Sequence, residues 1–550
     1  MNQSRRTFLA SSLIGLPLPL FVPRAVAQGL PSPYPRMKLE DFVRDEARLA
    51  SLKRGVAVMK ARKPSEPGSW FYQGAIHAVT DEAVQTALAQ DPNVATVDQA
   101  RFWNKCPHNG ESSADFLIWH RAYVLYFEHF LREASGDPTL SLPYWNYTEP
   151  TQRQFPPHFA DDDADPVTQV PRNPLYSHRR EQAFSFGLYQ LTEGVAGTAV
   201  IFSETDFFGA NEDIGLAGGV ADSNVRTRGR IERQPHDLIH FAIGGAIGTG
   251  EIDTGDATAG MMASVPTAAF DPIFWVHHAN IDRLWTVWEC LPTRSWGKVP
   301  PKEWLEAKPW FFNDVGGQVR NNSRIYYIDR RNLSVAYDSD VMSCKPLSAT
   351  NPLTTPPPPS GRVIPLTVPS DVKSFRFKAE AGRLDKKIRV SPDESVTNKV
   401  PLFAIPALGS GSMKSIVLSA PTGSSRRLVL ELLGLNIEGV TSVGYDVYVN
   451  LSTGQAPKRT SKNYVGTISL FGANHVHGKH HDHATVASQR FDITWLLLMD
   501  NFNEKALSVS IVPFDLLEPL EGRPRLRRAV GITYTGLRVI VLEGSSAPVM

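Results

Sequence analysis

Cysteine is nearly absent: three among 550 residues, Cys106, Cys290 and Cys344. That excludes a disulfide framework and a thiolate cage for zinc or an iron–sulfur cluster. A surplus of one charge is absent too, since 57 lysines and arginines face 56 aspartates and glutamates, for a net charge of +1. Without a basic excess, neither nucleic acid nor a membrane surface is the expected partner. No internal repeat occurs. After the first 27 residues no apolar run could span a bilayer; the densest, Trp495–Met499, ends at Asp500, far short of the about 20 residues required. What remains is a globular composition, 42% apolar and 21% charged, in a chain too long for one ordinary domain.

Residues 1–27 read as an address. Arg5 and Arg6 stand before a moderately apolar stretch from Leu9 to Val22, and Ala25-Val26-Ala27 supplies a small-x-small cleavage pattern. The order of these features is that of a twin-arginine export signal, so a periplasmic or secreted protein is expected.

Residues 28–350 read as mostly α with long connections. Leu39, Phe42, Val43, Leu49 and Leu52 predict one helix over 37–62, and Phe116, Tyr123, Phe127 and Leu131 another over 115–134. Helical character returns at 235–243 and 273–290, while 150–230 reads as loops. A proline-rich linker, 351–362, contains Pro356-Pro357-Pro358-Pro359 and is stiff. From 363 to 550 short β-rich runs alternate with turns, among them 374–378, 415–418, 428–432, 445–450, 464–470, 507–512 and 537–542. They predict a sandwich- or barrel-like all-β domain.

Histidine is what this sequence has. Ten of 15 lie before the linker, and five crowd into Asn474–His483. His236 and His240 are spaced to share one helix face, with Pro235 placed to open that helix. His277 and His278 stand on the 273–290 helix, with Phe274 one turn before His278. His77, His108 and His120 form a second set. Three neutral nitrogen ligands alone would also suit a catalytic zinc, but two such sets, with no carboxylate or thiolate needed, favour a redox pair of copper ions over a carboxylate-rich di-iron site.

The phrases around His120, His236/His240 and Asp271–Trp285 closely resemble the coupled binuclear copper proteins: tyrosinases, catechol oxidases and haemocyanins. The resemblance covers most of residues 35–345. It implies that His77, His108 and His120 hold one copper, and His236, His240 and His278 the other, with dioxygen as co-substrate bound between them. It implies a thioether between Cys106 and His108, leaving the pairing of Cys290 and Cys344 open. Glu232 matches the acid that orients a water near the second copper. Asp237 stands where many tyrosinases have Asn, and either acts as a base toward the phenol or is itself protonated. Phe241, Val265 and Phe274 are expected to line the substrate pocket, with the small Val265 as an open gate. His129, His158 and His178 read as structural or solvated. Val335–Asp338 resembles the tyrosine motif that closes the catalytic domain.

Segments 445–450, 464–467 and 490–493 resemble the C-terminal domain of plant-type polyphenol oxidases, which implies a shield over the copper site. The five-histidine segment is either a transient copper-loading site or a solvated loop. The function implied is ortho-hydroxylation of small monophenols and oxidation of o-diphenols to o-quinones. The rivals are a catechol or o-aminophenol oxidase and, more remotely, an oxygen-carrying or copper-storage protein. Homo-oligomerisation is left open.

Overall fold

A computed structural model describes residues 34–107, 114–163, 172–209, 215–219, 228–247, 258–297, 299–333, 335–338, 375–421, 424–437, 443–452, 454–459, 461–469, 471, 487–499, 502–526 and 531–545. The export signal, the 351–362 linker, His108, Cys344 and the five-histidine segment lie outside them.

Six helices frame the first unit: α1 Leu39–Val43, α2 Glu46–Ala61, α3 Trp70–His77, α4 Asp115–Ser135, α5 Asp237–Gly244 and α6 Ile273–Cys290. The single helix expected over 37–62 is two. Asp45 is extended and its side chain accepts from the backbone N–H of Ala47 and Arg48, capping α2. Hydrophobic spacing alone carried no sign of that cap. α4 matches its expectation closely and stops at Gly136, which takes φ 67°, a left-handed conformation that glycine adopts without strain.

α4 and α6 are apolar on nearly every face and therefore buried. Phe127 of α4 stacks on Trp275 of α6. Beside this contact runs a buried charge network. Arg121 donates to Asp282 at 2.5 Å, Arg36 donates to Glu128 at 2.7 Å and to Asp282 at 3.2 Å, and Tyr337 donates to Asp282 at 2.6 Å. The two ends of this unit, at Arg36 and Tyr337, are thus fastened to the two helices that carry His120 and His278. Cys290, at the end of α6, is disulfide-bonded, whereas Cys106 keeps its thiol.

The second unit is two four-stranded antiparallel sheets. Their strands are β2 Phe375–Val390, β3 Val396–Pro401, β4 Ser424–Ile437, β5 Val443–Val449, β6 Tyr464–Thr467, β7 Ala487–Asp492, β8 Ala506–Asp515 and β10 Ile532–Ser545. The orders are β7-β4-β10-β2 and β6-β5-β8-β3. Val429 pairs with Ile540 in one sheet and Val447 with Ile511 in the other. The strand expected at 415–418 is instead part of a helix, Met413–Leu418. Ser412 caps it, and Met413, Ile416 and Val417 bury one face at helical spacing. Two further short strands, β1 Tyr189–Leu191 and β9 Leu517–Pro519, pair antiparallel and stitch the two units together. Thr192 adds a side-chain bond to the carbonyl of Asp515 at 2.8 Å, and Gln190 one to Glu518 at 2.7 Å.

Glu289 of α6 is buried, and neither carboxylate oxygen has a hydrogen-bond partner. Burial pushes its carboxyl from 4.5 to about 7 against the pull of Arg121 and Arg330. Between these values the folded chain binds more protons than the unfolded one. Its contribution is therefore fully present below pH 4.5 and lost as pH rises through about 7. Glu289→Gln should stabilise the protein by roughly 2–3 kcal/mol at about pH 8 and leave it little changed at acid pH. Urea unfolding at both pH values checks this, and a gain independent of pH would contradict it.

Candidate metal centre

The first cluster comprises His77, Cys106 and His120, whose ligand atoms lie within 4.8 Å of one another. His77 ends α3 and donates Nδ1–H to the carbonyl of Val265 at 3.0 Å; His120 donates to the carbonyl of Phe116, one turn earlier, at 2.8 Å. A carbonyl can only accept, so both rings carry the proton on Nδ1 and expose a lone pair on Nε2. The backbone N–H of Cys106 donates to the carbonyl of His77, which brings the thiol in, and Sγ lies 3.7 Å from His120 Nε2. His108, two residues further along, is outside the described residues.

The second cluster holds His236, His240, His277 and His278. Pro235 does not open the helix as its position suggested. Gln234 is extended, Gln234–Pro235 is cis, and α5 begins at Asp237 after an irregular turn from Glu232 to His236. His236 and His240 still meet, with ring centroids 4.4 Å apart. His236 donates Nδ1–H to Asp237 at 2.9 Å, and His240 to the carbonyl of Met262 at 2.8 Å. His240 Nε2, again a bare lone pair, faces His278 Nε2 at 3.4 Å, while His278 Nδ1 is buried without a partner. A cation between such nitrogens satisfies both. His277 is turned to Tyr147, whose hydroxyl lies 3.2 Å from Nδ1.

The clusters adjoin. His120 and His278 stack at 4.4 Å, and Phe116 lies 4.6 Å from both His120 and His236. Phe274 lies 4.1 Å from His278 and 5.0 Å from His77, touching both clusters. Burial draws His120 and His240 down to about 3 and holds His277 and His278 well below the ordinary imidazole value. At neutral pH these rings are therefore uncharged, the state in which an imidazole can bind a metal. A donor set of neutral imidazoles with one thiol fits copper or zinc and does not fit magnesium or calcium.

Val265 is buried at the start of a short helix and offers its carbonyl to His77; Phe241, also buried, follows His240 on α5. Glu232 is buried with Oε1 3.5 Å from Arg228. Asp237 is fully engaged: Oδ1 orients His236, and Oδ2 accepts from Arg228 at 2.5 Å and from Ser469. Burial raises its carboxyl above the ordinary range, with Arg228 and Ser469 pulling the other way. His129, His158 and His178 join neither cluster.

The sequence implied a shield over this centre but did not point to the residues that meet it. Ser469 and Phe471 come from the β-rich unit. Phe471 lays its ring 4.2 Å from that of His240 and 5.7 Å from that of His236. Arg228 ties the cover down through the carbonyl of Phe471, at 2.6 Å, and through the Ser469 hydroxyl. An arginine eight residues before His236 and a phenylalanine in a distant loop leave no periodic signal.

Residues 67–291 match the family described as the common central domain of tyrosinase, and 382–519 match a domain of unknown function, DUF7868. Tyrosinase HcTyr1 from Hahella sp. (strain CCB-MM4) is 30% identical over 76% of this chain and 81% of its own. The latent-form chloroplastic polyphenol oxidase of Prunus armeniaca is 24% identical over 76% of this chain and 63% of its own. Catechol oxidase B of Solanum tuberosum is 25% identical over 72% and 62%, so the chain spans less than two thirds of these plant enzymes. Among solved structures, latent apple tyrosinase aligns with TM-score 0.53 and 20% identity over 93% of this chain and 98% of its own.

His240→Ala should lower the metal content of the purified protein by about one equivalent, since a site of three imidazoles loses a third of its donors. His129→Ala should leave the content unchanged. Elemental analysis decides, and equal metal in wild type and His240→Ala would remove His240 from the ligand set.

Proposed function

The chain belongs to the tyrosinase and polyphenol oxidase family of copper phenol oxidases, and from that premise we propose that it hydroxylates monophenols at the ortho position and oxidises o-diphenols to o-quinones. His77, His108 and His120 would hold one copper and His236, His240 and His278 a second. Bound copper supplies the electron traffic between phenol and dioxygen. The observation that carries the reading is the pair of adjoining clusters in which His77, His120 and His240 are held through Nδ1 and turn Nε2 inward. Around them, Phe274 forms an apolar wall, Asp237 fixes the His236 ring, and Glu232 is the acid placed to order a water that takes the phenolic proton. The small Val265 supports monophenol entry over the diphenol-only rival. Oxygen uptake by the copper-loaded protein with tyrosine, catechol and o-aminophenol tests this. Uptake with catechol alone would reduce the enzyme to a catechol oxidase, and uptake with none would end the reading.

The same reading makes the full-length chain latent. Phe471 fills the space beside His240 and His236, and the β1–β9 ladder holds the second unit even if the linker is cut. Phe471→Ala should raise catechol turnover at least several-fold without cleavage. Nicking within 351–362 should do so fully only when detergent or mild acid also separates the units. An unchanged rate in Phe471→Ala at equal copper content would make the cover purely structural.

We place the enzyme in the periplasm or outside the cell, exported folded, with a small phenol as its partner. Cys106 is the candidate for a thioether to His108. The bond removes two hydrogens, so the intact mass should fall about 2 Da below that of the chain with its disulfide alone. Quantitative alkylation of Cys106 in the copper-loaded protein would exclude the bond.

A further inference from the structure

Phe471 presents more than a ring. Between its ring and its carbonyl carbon stand only Cβ and Cα, so the residue is an arylpropanoyl group. Its two ends are gripped separately, the ring against His240 at 4.2 Å and the carbonyl oxygen by Arg228 Nη2 at 2.6 Å. When the second unit lifts, Arg228 loses both the carbonyl of Phe471 and the hydroxyl of Ser469, and keeps Asp237 and Glu232. In the uncovered enzyme those two carboxylates fix where its guanidinium stands.

A second guanidinium lies in the same segment. Arg233 donates to the carbonyl of Arg490 at 3.4 Å and sits 5.2 Å from the Phe491 ring, both from the second unit. Its Nη1 is buried without a partner, and among the described residues no carboxylate lies within ion-pair distance of it. Burial, and then the neighbouring Arg230 and Arg228, bring its guanidinium down to about 10. Lifting the cover therefore bares Arg228 one arylpropanoyl length from the second cluster, and Arg233 with it.

We propose that Arg228 determines substrate choice: in the uncovered enzyme it receives the carboxylate of a phenol or catechol whose acid group stands on a two-carbon side chain, with Arg233 adding positive potential. The covering loop is then a tethered mimic of that substrate. Arginine suits the task because its fork bonds a carboxylate through two parallel N–H groups. The inference rests on the phenol-oxidase reading.

The test uses the full-length, copper-loaded chain carrying Ser469→Ala and Phe471→Ala, which removes the ring and the hydroxyl, in detergent that separates the units and so releases Arg228 from the remaining backbone carbonyl, with and without Arg228→Gln. Dihydrocaffeate supplies the catechol with a propionate arm, its amide the same arm without charge, protocatechuate a shorter acid, and methylcatechol no acid. Arg228→Gln should raise KM for dihydrocaffeate about 10-fold or more, the scale of a lost charged hydrogen bond. It should move methylcatechol and the amide by less than about 3-fold, and protocatechuate by less than dihydrocaffeate. The unreactive inhibitor phenylpropionate should weaken in parallel with dihydrocaffeate, and Arg228→Lys should restore part of the loss. Copper content and melting temperature should match between the proteins. Equal shifts for all four substrates would show that Arg228 only supports Asp237 and would overturn the proposal. So would equal loss for acid and amide, or no loss at all. Turnover of none of them before Arg228 is changed would instead defeat the phenol-oxidase reading beneath it.

Discussion

An imidazole that must bind a metal has to be neutral and has to aim one chosen nitrogen, and most of this molecule serves that constraint. Neutrality comes from burial: the rings of His120 and His240 sit in an apolar helix core that makes their charged forms costly. Aim comes from the other nitrogen. Val265, Phe116 and Met262 each offer a backbone carbonyl to Nδ1, and backbone carbonyls fixed by packing hold a ring more rigidly than a mobile side chain could. His236 is the exception, because a carboxylate, Asp237, does the same task. That difference matters, since a carboxylate has a second oxygen.

Through that second oxygen the centre is coupled to its cover. Asp237 Oδ2 accepts from Arg228 and from Ser469 of the β-rich unit, so the docked cover and a second-cluster ring share one carboxylate. The β1–β9 ladder and the bonds around Thr192 and Gln190 seat the second unit away from the centre, whereas Ser469 and Phe471 meet it at the centre. Two zones of contact separate two tasks: keeping the cover on the molecule, and filling the pocket.

How much of this the sequence carried follows the range of the interactions. α4 and α6 were readable because apolar residues repeat at helical spacing and Gly136 ends α4 sharply. The histidine pair was readable from its spacing of four, and His236 and His240 meet even though His236 stands in the irregular turn before α5. The break at Asp45 and the start of α5 after Pro235 were not, since a cap or an irregular turn needs only one or two residues and leaves the surrounding pattern intact. At 415–418 the β-branched Ile416 and Val417 favoured a strand, and the Ser412 cap with burial of one helical face prevailed. Arg228, Ser469 and Phe471 are joined by chain folding alone. Over 200 positions lie between Arg228 and its partners Ser469 and Phe471, so no local pattern could connect them.

The central claim is that the adjoining histidine clusters act as one site for a coupled copper pair. Copper analysis combined with electron paramagnetic resonance on the resting, oxidised full-length protein tests it most directly. The account predicts about two coppers per chain with almost no signal, because two Cu(II) ions held this close pair their spins. One copper per chain, or two giving a full-intensity mononuclear signal, would contradict it.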